Sequence, residues 1–388
     1  MTEFDVAIIG GGPAGSAAAL TLLRYSKLRP VVIERTAYEG WRVGETVSPG
    51  VLPLLNYLGA ESVLLDQGQR RAYATSAAWG SADVLSRDFL FTGGGDAWHL
   101  DRARFDGALA ALVEERGGTV LTEAVVETVE PRWTLTYGGR PARIAPGVSL
   151  GADPAGRDAQ RIAGETPTPR HITARFVIDA TGRNAAFART QGARIIADDN
   201  LTGLVAMFEG GRDAQTATLV EAVEDGWWYS AHLPAGRTVV AFMTDADIIR
   251  AGHLHEREAW LKRLRETRGT LQRVVDADVV HGPVAAPAHS QILDPVFGDD
   301  WVAAGESAVG FDPLSSMGIG YAIASGIQAA RVASSALGGN GDHARAYASD
   351  VAQHYQAYLA RRKAYYLIEK RWPESPFWAR RQDATVSS

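Results

Sequence analysis

The chain has 388 residues, 46% of them hydrophobic and 22% charged, with a formal net charge of −6 and no cysteine. This length suits one large α/β unit or two domains, and the ordinary charge and hydropathy exclude a disordered or fibrous protein. Without cysteine there are no disulfides, thiolate metal sites or cysteine nucleophiles, and the acidic balance argues against a nucleic-acid partner.

Residues 4–9 read as a short buried strand, followed by Gly10-Gly11-Gly12-Pro13-Ala14-Gly15 and a small-residue helix from about 14 to 25. A second buried strand at 31–33 ends at Glu34, giving the βαβ opening of a parallel sheet. Helices are predicted over 52–65 and 101–117, the latter closed by Gly117-Gly118, with a strand at 119–129. Residues 138–172, rich in Gly, Pro, Arg and Thr, read as an extended hairpin or surface insertion. A buried strand at 176–179 leads into Ala180-Thr181-Gly182-Arg183, and alternation over 201–245 predicts antiparallel strands. Helical segments are expected at 246–275, 318–337 and roughly 342–371, with a strand at 301–304. No apolar run approaches the roughly 20 residues that span a bilayer. Met1 leads into a strand with no signal-peptide pattern, so a cytoplasmic protein is expected.

Gly10, Gly12 and Gly15 have separate physical tasks: a tight turn, close approach of backbone to a pyrophosphate, and close helix–strand packing. The N-terminus of the following helix, beginning at Pro13 and Ala14, offers free N–H groups to phosphate. Glu34 stands where a carboxylate can accept hydrogen bonds from an adenosine ribose and would repel a 2′-phosphate.

Val177-Ile178-Asp179-Ala180-Thr181-Gly182-Arg183, and Gly305-Glu306-Ser307-Ala308-Val309-Gly310-Phe311-Asp312-Pro313-Leu314 with Gly318-Ile319-Gly320, resemble the two later FAD motifs of glutathione-reductase-type flavoproteins. The resemblance covers nearly the whole chain. It is narrower toward the branch that holds p-hydroxybenzoate-hydroxylase-like monooxygenases, flavin-dependent halogenases and geranylgeranyl reductases. It implies an α/β fold: a discontinuous, Rossmann-like FAD-binding domain (1–60, 100–190, 285–340), an inserted β-rich substrate domain (60–100, 190–285) and a C-terminal helical segment (341–388). The cofactor residues implied are Gly10, Gly12, Pro13, Ala14, Gly15, Glu34, Arg35, Arg42, Arg102, Asp179, Gly182, Gly305, Glu306, Pro313, Gly318 and Ile319. Arg104 is an alternative to Arg102. Glu306 stands where the family usually has an Asp contacting the ribityl chain.

Halogenases of this branch use a lysine after the Gly-Glu loop, here Gly44-Glu45, but no lysine occurs from 28 to 261, and their Trp-x-Trp-x-Ile-Pro signature is absent. The tail Arg371-Trp372-Pro373-Glu374-Ser375-Pro376-Phe377-Trp378, with Trp227-Trp228-Tyr229-Ser230, looks like flavoproteins that modify protein-bound tryptophan during quinone-cofactor maturation. That implies a monooxygenase hydroxylating an aromatic ring, an indole in a small molecule or peptide, through a flavin C4a-hydroperoxide formed with O2. Electrons would come from NAD(P)H directly or through a separate flavin reductase. The middle motif reads Thr181-Gly182 where single-component hydroxylases carry Asp-Gly, and there is no second G-x-G-x-x-G, which favours the separate reductase.

Alternatives are a reductase or dehydrogenase of the geranylgeranyl-reductase kind, a halogenase, and a non-catalytic flavoprotein. Candidate acid–base groups are His99, His232, Glu45 and Asp312. Trp228, Tyr229 and Ser315 are candidates for the substrate, and alternation puts Trp228 on one sheet face with Trp227 and Tyr229 on the other. His253 and His255 lack the companions of a metal site. Trp372 and Trp378 read as a clamp holding the C-terminus to the body.

Overall fold

The computed structural model describes residues 2–89, 95–130, 133–138, 170–211 and 216–382. At its centre lies a six-stranded sheet in the order Phe297–Gly298, Trp301–Ala303, Phe176–Asp179, Val6–Ile9, Pro30–Ile33, Thr119–Leu121. All neighbours are parallel except the first pair. Four of these strands are buried along their whole length, as expected of a parallel sheet covered on both faces. Chain order and spatial order differ strongly, since residues 6–9 and 301–303 flank the same strand.

The helix Pro13–Tyr25 packs between Gly318–Leu337 and Arg102–Glu115. Its entry turn needs glycine: Gly10 has φ 107°, and a methyl there would lie 2.2 Å from the Ala180 carbonyl oxygen. The helix crossing is equally close. A methyl on Gly326 would meet the Ala14 carbonyl oxygen at 2.2 Å.

A seven-stranded sheet forms the second layer, in the order Ala277–Pro287, Leu201–Gly210, Arg237–Asp245, Gly226–His232, Thr218–Val223, Ala74–Ala78, Leu85–Asp88. All its pairings are antiparallel except that of Thr218–Val223 with Ala74–Ala78. One face buries Trp228, Phe242 and Trp260; the other buries Trp227, Tyr366, Phe377 and Trp378. A three-stranded sheet of Thr46–Val47, Ala97–His99 and Arg70–Ala72 joins the two layers.

Several predicted boundaries shift. The helix expected over 52–65 is two, Val51–Leu58 and Ser62–Leu65, because Gly59 caps the first in the left-handed region. The strand expected over 119–129 splits at Glu123, φ 52°, into Thr119–Leu121 and Val125–Glu130, which enter different sheets. The helical stretch at 246–275 is three short helices, interrupted after Gly252 by His253 at φ 50°. Most of the insertion expected at 138–172 lies outside the described residues. Asp342–Tyr366 and Pro376–Gln382 form the C-terminal helices. Among the described residues no helix is long and apolar enough to cross a membrane.

Candidate FAD cleft and aromatic cluster

The cleft is built at the C-terminal ends of the central strands, where parallel sheets place ligand sites. A methyl on Gly12, or on Gly318 at the start of the helix Gly318–Leu337, would meet nothing within 4 Å. Open space therefore lies at the N-termini of two helices whose first-turn N–H groups have no intrahelical acceptor. Glu34, 6% exposed, accepts from Gly11 N–H at 2.8 Å and from the Thr36 hydroxyl at 2.6 Å. Arg42 reaches Glu34 at 3.3 Å and Asp106 at 2.8 Å, while Arg35 is exposed.

Arg102 donates to the carbonyls of Val43 and Gly44, both at 2.9 Å, and to both oxygens of Asp106 at 3.1 Å. It braces the loop that carries Glu45. Asp179 is fully buried, and its oxygens accept from Thr181 N–H, the Thr181 and Ser307 hydroxyls, and Ala188 N–H. Sequence pattern puts Asp179 among cofactor ligands; the structure makes it the staple that shapes the Thr181–Gly182 turn. Glu306 pairs with Arg183 at 3.0 Å, so Arg183 holds the carboxylate expected beside the ribityl chain.

Glu45 is the distinctive group. It is 3% exposed, its Oε1 accepts from the Trp41 indole N–H at 3.2 Å, and burial pushes its carboxyl up to about 7 against the opposing charge of Arg102. The next residue, Thr46, hydrogen-bonds the Tyr229 hydroxyl. Burial raises the Tyr229 phenol well above its ordinary value, and the Glu45 charge adds to this. Trp41 packs edge-on against His281 at 5.0 Å. Trp41, Tyr229 and Leu314 are all partly buried beside the same apolar cluster. These side chains form an aromatic cluster with one ionisable carboxyl beside it.

The other acid–base candidates stand differently. His99 is fully buried: a carbonyl only accepts, so Nδ1–H donates to His232 O at 2.8 Å and Nε2 accepts from Thr218 at 2.9 Å. Burial lowers its pKa to about 4, which leaves a neutral ring with both nitrogens engaged. His232 is 5% exposed, with Nδ1 against the Thr238 hydroxyl. Asp312 is fully buried and accepts from Leu314 N–H, Arg362 and the Tyr366 hydroxyl, so it anchors the C-terminal helix. Ser315 donates to the Asp312 carbonyl at 2.8 Å within the turn that starts at Pro313.

The alternation read from Trp227-Trp228-Tyr229 holds, but the faces have unequal uses. Trp228 is 1% exposed, stacked on Phe242 at 4.7 Å and edge-on to Trp260, on the face away from Tyr229. It is core and is not brought to the cluster around Trp41 and Tyr229. Trp41, Thr46 and Arg183 were not singled out by sequence pattern. Their only signal is adjacency to Glu45 or to the Thr181–Gly182 turn.

The FAD binding domain family matches residues 3–345. This chain is a member of that family. LodB of Marinomonas mediterranea, provisionally named an FAD-dependent oxidoreductase, is 31% identical over 387 residues, 98% of this chain and 97% of LodB. The myxobacterial chondrochloren halogenase CndH superimposes with TM-score 0.83 at 21% identity, covering all of this chain and 87% of CndH. The peptidyl tryptophan dihydroxylase QhpG gives TM-score 0.71 at 22% identity, over all of this chain and 80% of QhpG. At these identities the two structures show a shared fold. The protein is thus an FAD-dependent enzyme with the fold that these flavoproteins share. The open space at Gly12 and Gly318, with Glu34 at the end of the second strand, fits a dinucleotide lying along both helix N-termini.

Proposed function

We propose that this flavoenzyme hydroxylates an aromatic ring of the indole type, free or within a peptide, using O2. The observation that carries the reading is Glu45: a buried carboxyl poised near neutrality next to Trp41 and the Thr46–Tyr229 pair. Bound FAD would supply oxygen activation; the chain's own residues must hold the ring and manage a proton. Gly12, Glu34, Gly318 and the first turns of the two helices would hold the cofactor, with Arg42 and Arg102 fixing the intervening loop. Trp41 and Tyr229 would bracket the aromatic ring. As its carboxylate, Glu45 would accept the proton lost when the ring regains aromaticity, its raised pKa bringing both protonation states within reach near pH 7. We assign His99, His232 and Asp312 to holding the structure.

Two sequence facts favour hydroxylation over halogenation: there is no lysine between 28 and 261, and Ala231 stands where the halogenase signature would have its second Trp. The name of QhpG, a peptidyl tryptophan dihydroxylase, supports an indole substrate. We further propose that electrons arrive through a separate flavin reductase.

The test supplies the FAD-loaded protein with a reductase, NAD(P)H and O2, and offers tryptophan-containing peptides. Mass spectrometry with isotopically labelled O2 should show one labelled oxygen gained per hydroxylation. A halide incorporated in its place, or hydrogens added to an apolar alkene, would replace this reading.

A further inference from the structure

The apolar cluster that Trp41 and Tyr229 pack against contains an aromatic box that the proposed hydroxylation does not use. Trp227, fully buried, donates its indole N–H to the Tyr366 hydroxyl at 3.0 Å. Tyr366, 1% exposed, donates in turn to Asp312 Oδ2 at 2.8 Å. A phenol that accepts from an indole and donates to a carboxylate has both an electron donor–acceptor partner and a proton acceptor in van der Waals reach. Around this core the rings continue: Trp79 lies 5.6 Å from Tyr366, 6.3 Å from Trp227 and 5.2 Å from Trp378, centroid to centroid. Trp79 is only partly buried and gives the box an opening to solvent, and Trp372, also partly buried, stacks on Trp378 at 6.2 Å.

Arg362 and Arg381 sit over the Tyr366 ring at 5.2 and 5.5 Å. Asp312 and Asp199 flank Arg362, and Asp245 binds Arg381 at 2.5 Å. Arg380 shares Asp245 at 2.8 Å, so the guanidiniums beside the ring are each matched by a carboxylate, and Asp312 is the one that takes the phenol hydrogen bond.

We propose that Tyr366 is a redox-active tyrosine that drains one-electron oxidation from the surrounding indoles. When an oxygen-derived radical, or another strong one-electron oxidant, removes an electron from Trp79 or Trp227, Tyr366 supplies an electron to the oxidised indole. Its phenol proton passes to Asp312, leaving a neutral phenoxyl, a protonated Asp312 and a restored indole that still donates its N–H. A soluble thiol or ascorbate returns the electron through Trp79, and the proton goes back from Asp312 to the phenol. The box thus protects an oxygen-handling protein from covalent damage at buried tryptophans.

The test uses the full-length FAD-loaded protein, with and without ring-deuterated tyrosine, oxidised by photogenerated ruthenium(III) tris-bipyridine and freeze-trapped for electron paramagnetic resonance. A phenoxyl signal that narrows on deuteration is expected, and Tyr366→Phe should lose most of it and leave an indolyl signal. Trp79→Phe should lower the phenoxyl yield. In the unmutated protein, nuclear double resonance with nitrogen-labelled tryptophan should find an exchangeable indole N–H proton coupled to the phenoxyl, which needs no variant to fold. No phenoxyl in the unmutated protein, an undiminished phenoxyl in a folded Tyr366→Phe, or a phenoxyl without the indole N–H partner overturns the assignment.

Discussion

Glu45 is a carboxyl whose burial is the main opponent of its own ionisation. Its folded pKa, about 7, lies above the ordinary 4.5, so the folded state holds a proton that the unfolded chain has released. The stability this contributes is full below the ordinary value and is lost as pH rises through about 7. Glu45→Gln should therefore flatten the fall in melting temperature between those pH values, measured by calorimetry across the range. It should also abolish the rise of turnover through neutral pH, because Gln keeps the Trp41 hydrogen bond but takes no proton. The glycines give a second contrast. Gly12→Val adds a side chain into open space, so the cofactor-free protein should melt unchanged while FAD is no longer retained. Gly10→Ala meets a carbonyl oxygen at 2.2 Å and should destabilise the cofactor-free protein itself.

At the scale of elements, the seven-stranded sheet is sealed on both faces by different means. Trp228 is packed between Phe242 and Trp260, so Trp228→Ala should cost about 3–5 kcal/mol in denaturant unfolding and leave binding of an aromatic substrate intact once folded. The opposite face is sealed by the helix Pro376–Gln382, through Trp378 N–H to Val223 O at 2.9 Å and Arg381 to buried Asp245. Arg380 also reaches Asp245 at 2.8 Å, so Arg381→Ala should be milder than the loss of a sole partner, and the double variant with Arg380→Ala should be markedly less stable than either single variant by the same measurement. The FAD elements were legible because their physics is local: a Gly-rich turn, a small-residue helix and short buried strands each announce themselves within a few residues. Period-two alternation also separated Trp228 from Trp227 and Tyr229 correctly. What it could not say is which face meets helix and which meets the cleft, because that depends on Trp260 and Trp41, residues remote in sequence. Similarly, Asp312 and His99 look like acids and bases until their partners Arg362, Tyr366, Thr218 and the His232 carbonyl are brought in from over 40 residues away.

Across the whole molecule, the cleft is assembled from 10–15, 34–46, 179–183 and 305–320, segments that meet only in the folded state. A ligand held by all four should couple them. Saturating FAD, at about a hundredfold excess over Kd, should stabilise the protein by ~2.7 kcal/mol. Hydrogen exchange should slow at all four segments together, and protection confined to 10–15 and 34–46 would show that only the ADP half is gripped.

The interleaving of the central sheet also governs when the protein can exist during its synthesis. Strand Phe176–Asp179 has Val6–Ile9 on one side and Trp301–Ala303 on the other, so half its hydrogen-bond ladder waits for a segment made much later. The apolar face around Trp227 stays uncovered longer still, until Pro376–Gln382 is made. A nascent chain stalled anywhere before residue 300 therefore displays sticky, half-paired strands, which makes this protein a demanding client for chaperones and sensitive to the pace of the ribosome.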